Sequence, residues 1–282
     1  MRILHPTDFS KVANKALELA RDLSARLGAR LDVVHVQQRF ENQAQRAYLG
    51  LDTLNPAIAA RLEESRTEEV RNLRSRLAAL TPEGGQGDLL WGDPVRELLA
   101  ILPDYDLVVM GAHGAGRLDR FFLGGVAGRL VRRSPTPIVT VREECETARV
   151  RRLMLATDFG EASRFALARC QPYLAAGIEL VLAHVIDDWR LRDDSAHVRQ
   201  VDEALSEMAA GKAKRQVVRE GDPVTVLPAL AQEVGADVIV IGARRHPAMV
   251  GLVMGSRADA LLRSSPVPVM SMPYQGERGE GT

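Results

Sequence analysis
The amino-acid sequence predicts an α/β protein of two tandem doubly wound domains, each a five-stranded, mostly parallel sheet flanked by four helices. Two observations predict it. The first is an internal repeat: the 282-residue chain carries five landmarks twice, in the same order. ILHPTDFS from Ile3 returns as MLATDFGE from Met154, and LDVVHV ending at Val36 returns as LVLAHV ending at Val185. Gly92-Asp93-Pro94 returns as Gly221-Asp222-Pro223, DLVVMGAHG from Asp106 as DVIVIGARR from Asp237, and the Ser-Pro-x-Pro run at Ser134 as that at Ser265. The second observation is alternation of short Val- and Ile-rich runs with longer helical patterns, the signature of βαβ units.

Taken in order, the first copy opens with a strand over Arg2–His5, an apolar run stopped by Pro6-Thr7-Asp8. A helix follows over Lys11–Leu27, then a strand over Leu31–Val36. The next helix covers Pro56–Leu80; its charged stretch Arg61–Arg76 spaces Leu62, Val70, Leu73 and Leu77 along one face, so it is amphipathic with a solvated side. Gly87–Trp91 is the third strand. Asp93-Pro94 starts the helix Pro94–Leu102 as an N-cap with proline in the first turn, and Asp222-Pro223 does the same in the second copy. Leu107–Met110 is the fourth strand, Phe122–Arg132 the last helix and Ile138–Val141 the fifth strand. The copies differ in spacing: His35 to Gly92 is about twenty residues longer than His184 to Gly221, so the first copy carries an insertion between Gln37 and Trp91. The domains are expected at 1–144 and 151–274, divided in the polar stretch Glu143–Arg151, with a frayed tail from Gln275.

Thirty-seven Lys+Arg balance 37 Asp+Glu, which removes the electrostatic case for a nucleic-acid partner. Cys145 and Cys170, too few for a disulfide framework and without zinc-ligand spacing, read as free thiols, Cys170 packed within an apolar helical stretch. No run approaches the roughly 20 apolar residues of a membrane span, and the N-terminus lacks an apolar leader core, so a cytoplasmic protein is expected.

Ligands of open α/β sheets sit beyond the carboxyl ends of the strands. Two loops leave such ends in the first copy: Pro6-Thr7-Asp8 after strand one, and Gly111-Ala112-His113-Gly114 after strand four, which leads to Gly124-Gly125 at a helix start. Glycines there allow positive φ and close approach of a ligand, and the amides of a helix N-terminus favour an anion. Gly111 to Gly124 and Gly242 to Gly255 are both thirteen residues, so the arrangement recurs. GxxxxGK[ST] is absent, and so is the glycine fingerprint of a dinucleotide fold after strand one. His35 and His184 occupy equivalent strand ends and read as hydrogen-bonded structural residues. No Ser/His/Asp or Cys/His set follows from the spacing.

On these residues the chain resembles a tandem universal stress protein, both copies being covered almost end to end. That family is associated with G-x2-G-x9-G-[ST] after a hydrophobic fourth strand and with Asp after strand one in a P-x-D context; members with the full pattern bind ATP or ADP and others do not. The resemblance implies strand order 3-2-1-4-5 and fifth strands that pair across a dimer. Here it implies an internal pseudo-dimer joined through Ile138–Val141 and Val267–Met272, with a homodimer and a protein partner left open. It further implies that Asp8 contacts the adenosine, that Pro6 and Val36 line the base pocket, that Thr7 and Met110 also belong to the nucleotide site, and that Gly111, Gly114 and Gly124 surround the phosphates. Gly125 and Val126 would offer amides, and His113 either reaches a phosphate or is an exposed loop histidine.

Both copies depart from the pattern. Gly125 stands where Ser or Thr is expected, removing a hydrogen bond of about 1 kcal/mol while the glycine frame survives. The second copy keeps Asp158, Val185, Gly242 and Gly255-Ser256, but Arg245 replaces the second glycine, to be strained if positive φ is needed there and to fill the pocket; alternatively Arg244 or Arg245 neutralises a phosphate. The first copy is therefore the expected site for ATP or ADP, with Mg²⁺ near Asp8 if a metal accompanies it. Three functions follow: an adenine-nucleotide-binding regulator of the stress response, a nucleotide-free interaction module, and a slow nucleotide hydrolase.

Overall fold
The computed structural model describes residues 1–38, 56–114, 123–145, 149–188, 195–245 and 255–275. The first copy runs β1 (Arg2–Pro6), α1 (Lys11–Leu27), β2 (Arg30–Gln37), α2 (Pro56–Leu80), β3 (Gly87–Trp91), α3 (Pro94–Ile101), a 3₁₀ turn (Leu102–Asp104), β4 (Leu107–Gly111), α4 (Gly125–Arg133) and β5 (Ile138–Val141). The second runs β6 (Arg152–Ala156), α5 (Glu161–Arg169), α6 (Gln171–Ala175), β7 (Glu179–Ile186), α7 (Ser195–Ala209), β8 (Arg215–Glu220), α8 (Pro223–Val234), β9 (Val238–Arg245), α9 (Ser256–Ser264) and β10 (Val269–Gln275).

All ten strands form one sheet in the order β3-β2-β1-β4-β5-β10-β9-β6-β7-β8, so each copy has the order 3-2-1-4-5, read in opposite directions from the centre. Pairing is parallel within each copy; only β5 and β10 pair antiparallel, with Val269 opposite Thr140, Met270 opposite Val139 and Ser271 opposite Ile138. Each copy's fifth strand thereby has both edges occupied, which removes the sheet edge that a lone copy would expose. Alternating strand residues supply two cores. Ile3, Val33, Val109, Val139 and Met270 face one helical layer; Leu4, Val34, Val108, Ile138 and Val269 face the other. Both cores contain residues of both copies.

Local chemistry sets the helix starts. Ser10 caps α1, its side chain accepting from the Ala13 amide, and Gly28 ends that helix in the left-handed region at φ 57°. The second copy has Gly160 at the Ser10 position, with no side-chain cap, and Pro172 interrupts its first helix into α5 and α6. Asp93 and Asp222 accept from the Arg96 and Val224 amides, the capping role expected of them. The last helix of the first copy begins at Gly125; Phe122 lies outside the described residues. Leu73 and Leu77 of α2 are buried as its pattern predicts. Both cysteines are free and buried, and burial pushes their thiols up, Cys145 to about 11 and Cys170 to about 12.

Proline at position 6 changes the centre of the first copy. In the second copy the ladder between the first and fourth strands runs through Leu155↔Val240 and Ala156↔Ile241. In the first it stops at Leu4↔Val108, because Pro6 has no N–H to offer the Val109 carbonyl. The side chain of His5 takes over: its Nδ1–H donates to that carbonyl at 2.8 Å. The substitute is imperfect, since His5 is fully buried and its Nε2 has no partner among the described residues.

Candidate functional site
The carboxyl ends of β1 and β4 are where the chain direction diverges, toward α1 on one face and α4 on the other. A crevice of about 200 Å³ lies there. Pro6, Thr7, Asp8, Val36, Met110, Gly111, His113, Gly114, Gly124, Gly125 and Val126 all line it, so every first-copy candidate meets in one cavity. Val34, Pro94 and Leu98 extend its apolar wall.

The loop after β1 is held by its own side chains. The Phe9 amide donates to Thr7 Oγ1 at 3.0 Å and the Ser10 amide to Asp8 Oδ1 at 3.0 Å, while His35 Nδ1–H donates to the Thr7 carbonyl at 2.8 Å. His184 makes the same 2.8 Å bond to the Thr157 carbonyl, so both strand-end histidines are structural. These bonds turn the backbone so sharply that Phe9 and Phe159 both adopt φ 61°, a conformation that costs a non-glycine residue about 1–2 kcal/mol. Ring contacts offset it: the Phe9 ring centroid lies 4.8 Å from that of His35, with the Arg76 guanidinium 3.9 Å from the Phe9 centroid, and the Phe159 centroid lies 4.7 Å from that of His184.

Gly111, Gly114 and Gly124 are required for space rather than for backbone angle. None of Gly111, Gly114, Gly124 and Gly125 has positive φ, which corrects that part of the sequence argument. A Cβ on Gly114 would stand 2.5 Å from Asp8 Oδ2, one on Gly124 3.0 Å from His113 Cα, and one on Gly111 3.1 Å from Val12 Cγ1. Gly114 thus lets the loop after β4 touch the loop after β1, Gly124 lets the start of α4 fold back against Ala112 and His113, and Gly111 seats α1 against β4; Gly242 does the same for α5, a Cβ there falling 2.7 Å from the Ser163 amide nitrogen. At Gly125 a Cβ would meet none of the described residues within 4 Å. Gly124 and Gly255 begin α4 and α9 without any side-chain cap, leaving first-turn amides for a ligand. His113 is partly buried in the wall, not an exposed loop residue, and its buried Nδ1 has no hydrogen-bond partner among the described residues.

The second copy has a larger crevice, about 670 Å³, lined by Asp158, Val185, Gly242, Gly255 and Ser256. Asp158 is more engaged than its counterpart, accepting from the Gly160 amide at 2.9 Å and from Ser163 Oγ at 3.0 Å. Arg245 extends β9, paired with Gln275, and is not a positive-φ residue, so the expected strain is absent; its side chain lies outside the described residues. Arg244, Arg257 and Asp187 also line this crevice. Arg257 and Asp187 were not singled out by the sequence, although the charge differences between aligned copies mark them.

Two doubly wound units, each with a crevice at its switch point and helix amides without a side-chain cap on the wall, define a tandem doubly wound α/β protein. The family model described as "Universal stress protein family" matches residues 1–142 and 149–273, and the chain belongs to that family. A universal stress protein of Mycobacterium tuberculosis is 26% identical over 210 residues, covering 66% of this chain and 68% of the relative. One from Thermus aquaticus is 34% identical over 142 residues, 50% of this chain and 97% of its own length. Among solved structures, a universal stress protein of Archaeoglobus fulgidus superposes with TM-score 0.68 over 96% of this chain and 98% of that one, at 23% identity, which speaks to the fold. No helix among the described residues is long and apolar enough to cross a membrane.

Proposed function
We propose that the protein binds an adenine nucleotide, ATP or ADP, in the first copy, and acts by changing shape or partners with occupancy. The observation that supports this reading is the convergence of all eleven candidate residues on one crevice, where the absence of a side chain at Gly114 lets its loop approach Asp8. The apolar walls at Pro6, Val34, Val36 and Met110 suit a flat base, and Asp8 beyond them suits ribose hydroxyls. The amides of Gly125 and Val126 and the Nδ1 of His113 suit phosphate oxygens. Mg²⁺, if present, accompanies the phosphates near Asp8. Isothermal titration of the full chain with ATP and ADP tests this. Binding that weakens at least about tenfold in Asp8→Ala agrees with it. Heat-silent titration of folded protein at millimolar nucleotide contradicts it and leaves the nucleotide-free interaction module, held together by the β5–β10 pairing, as the reading.

A further inference from the structure
The linker between the copies fills a space in one half of the molecule whose counterpart in the other half is a cavity. In the first half the linker lies along α1: the Val150 amide donates to Asp22 Oδ2 and the Arg151 amide to Asp237 Oδ2, both at 2.7 Å. Val150 and Cys145 are fully buried there. When the copies are aligned, Asp22 corresponds to Pro172 and Asp237 to Asp106. By the spacing of the Ser-Pro-x-Pro landmarks, Cys145 and Val150 correspond to Gly276 and Gly281, which have no side chain to insert. Around Pro172 and Asp106 lies a cavity of about 410 Å³, at the seam where the amino ends of β4 and β5 meet α5 and α6. It shares no lining residue with either crevice.

The lining has an apolar part and a polar corner. Pro137, Pro172 and Met272 make the apolar part, and Tyr173 and Arg169 the corner. Tyr173 is only 3% exposed, yet its hydroxyl has no hydrogen-bond partner among the described residues. Burial pushes that phenol up from its ordinary value, so it stays a neutral donor at physiological pH. Arg169 is exposed and makes no hydrogen bond or ion pair among the described residues. The first copy has buried Leu23 and Leu19 at these two positions, so the polar corner belongs to the second copy alone. Asp106, on the first-copy side, already accepts from the Arg2 amide at 2.8 Å. A buried donor without an acceptor, beside an unpaired cation, is matched by an anionic acceptor. We propose that this cavity binds a small organic carboxylate with an alkyl or aryl body. The carboxylate accepts from the Tyr173 hydroxyl and pairs with Arg169, turned away from Asp106, and the body lies against Pro137, Pro172 and Met272, where the linker's side chains lie in the other half. The volume is that of a small-molecule site, and a bound ligand touches both copies. The site is independent of the nucleotide reading of the first copy.

Calorimetric titration of the full chain with octanoate and phenylpropanoate, against octylamine and octanol, tests this. The carboxylates should bind saturably at one site per chain, and the amine and the alcohol at least about tenfold more weakly. Tyr173→Phe should weaken the carboxylates about tenfold, because a buried hydrogen bond to a charged acceptor is lost, and Arg169→Gln about fivefold, because that cation is exposed. Since the hydroxyl has no protein partner among the described residues, Tyr173→Phe should not lower the unfolding midpoint of the ligand-free protein, a result that a structural role for the hydroxyl would not give. Ala168→Trp, at an exposed helix position on the cavity wall, should abolish binding by filling the space, and serves should the phenylalanine variant unfold. Folded protein that takes up neither carboxylate at millimolar concentration overturns the proposal. So does octylamine binding as tightly as octanoate, or carboxylate binding unchanged by Arg169→Gln and Ala168→Trp.

Discussion
Replacing His5 and Pro6 by the residues of the second copy tests how the centre of the sheet is held. In the native chain the Val109 carbonyl accepts from His5 Nδ1 because Pro6 cannot donate, and a fully buried Nε2 with no partner among the described residues is the cost of that arrangement. His5→Leu alone removes the donor and strands a buried carbonyl, a loss of about 1–3 kcal/mol, partly offset by removing the orphan nitrogen. Pro6→Ala alone adds an N–H to a carbonyl that already has a partner, and loosens the unfolded chain by about 0.4–1 kcal/mol. Together the substitutions recreate Leu155-Ala156, whose ladder is continuous. The expected coupling is therefore favourable by about 1–2 kcal/mol: the double variant is more stable than the sum of the singles. Urea unfolding of the four proteins, read by far-UV circular dichroism and compared at constant m, measures it. Additivity within about 0.5 kcal/mol would refute the reasoning.

The same histidine gives a pH dependence. Burial lowers the His5 imidazole to about 4, against the ordinary 6.5, so between those values the unfolded chain binds the proton and the folded chain does not. Stability from this group is complete above pH 6.5 and declines as pH falls toward 4, by as much as about 3 kcal/mol, and the double variant should lack that part of the slope in denaturation curves taken across the range. Gly125→Ser, at a position where a Cβ meets none of the described residues within 4 Å, should add one hydrogen bond to a phosphate and tighten ADP about fivefold by calorimetry. Asp32 is flanked by Arg30 at 2.7 Å and Arg2 at 2.9 Å; burial would raise its carboxyl, but the arginine hydrogen bonds prevail and hold it below the usual range. Asp32→Asn should accordingly destabilise the wild-type fold at pH 7 and lose its effect as pH drops through the carboxyl's folded-state value, read from thermal unfolding at successive pH. Arg132→Ala breaks an ion pair between α4 and Asp259 of α9 and should cost no more than about 1 kcal/mol, because strand pairing and shared cores join the copies; a larger loss of the unfolding midpoint would contradict that.

Much of this architecture is legible because local signals and the repeat agree. Lys11–Leu27, Pro56–Leu80, Gly87–Trp91 and Ile138–Val141 stand where their patterns place them, since amphipathic spacing, an aspartate-proline start and Val-rich runs are all local. The break at Pro172 needed only that the second copy be read separately from the first. Other features are invisible for physical reasons. Positive φ falls on Phe9 and Phe159, where hydrogen bonds to Thr and Asp side chains impose it, while the glycines that suggested it serve to remove Cβ atoms from crowded contacts. Crowding of that kind arises between residues such as Asp8 and Gly114, more than a hundred positions apart, and no spacing rule encodes it. The substitution of His5 for a missing amide is likewise a tertiary event, although the paired change from Leu155-Ala156 to His5-Pro6 marks its location. Arg257 with Asp187 emerges in the same way, from aligning the copies and asking which charges changed together.

Native mass spectrometry of the full chain with ATP, before and after Gly114→Val, tests the central claim most directly, because it counts ligands while the chain stays folded. The account predicts one fewer bound nucleotide in the variant than in the wild type, with unchanged charge-state distribution. An identical ligand count in the two proteins, or none in either, would contradict it.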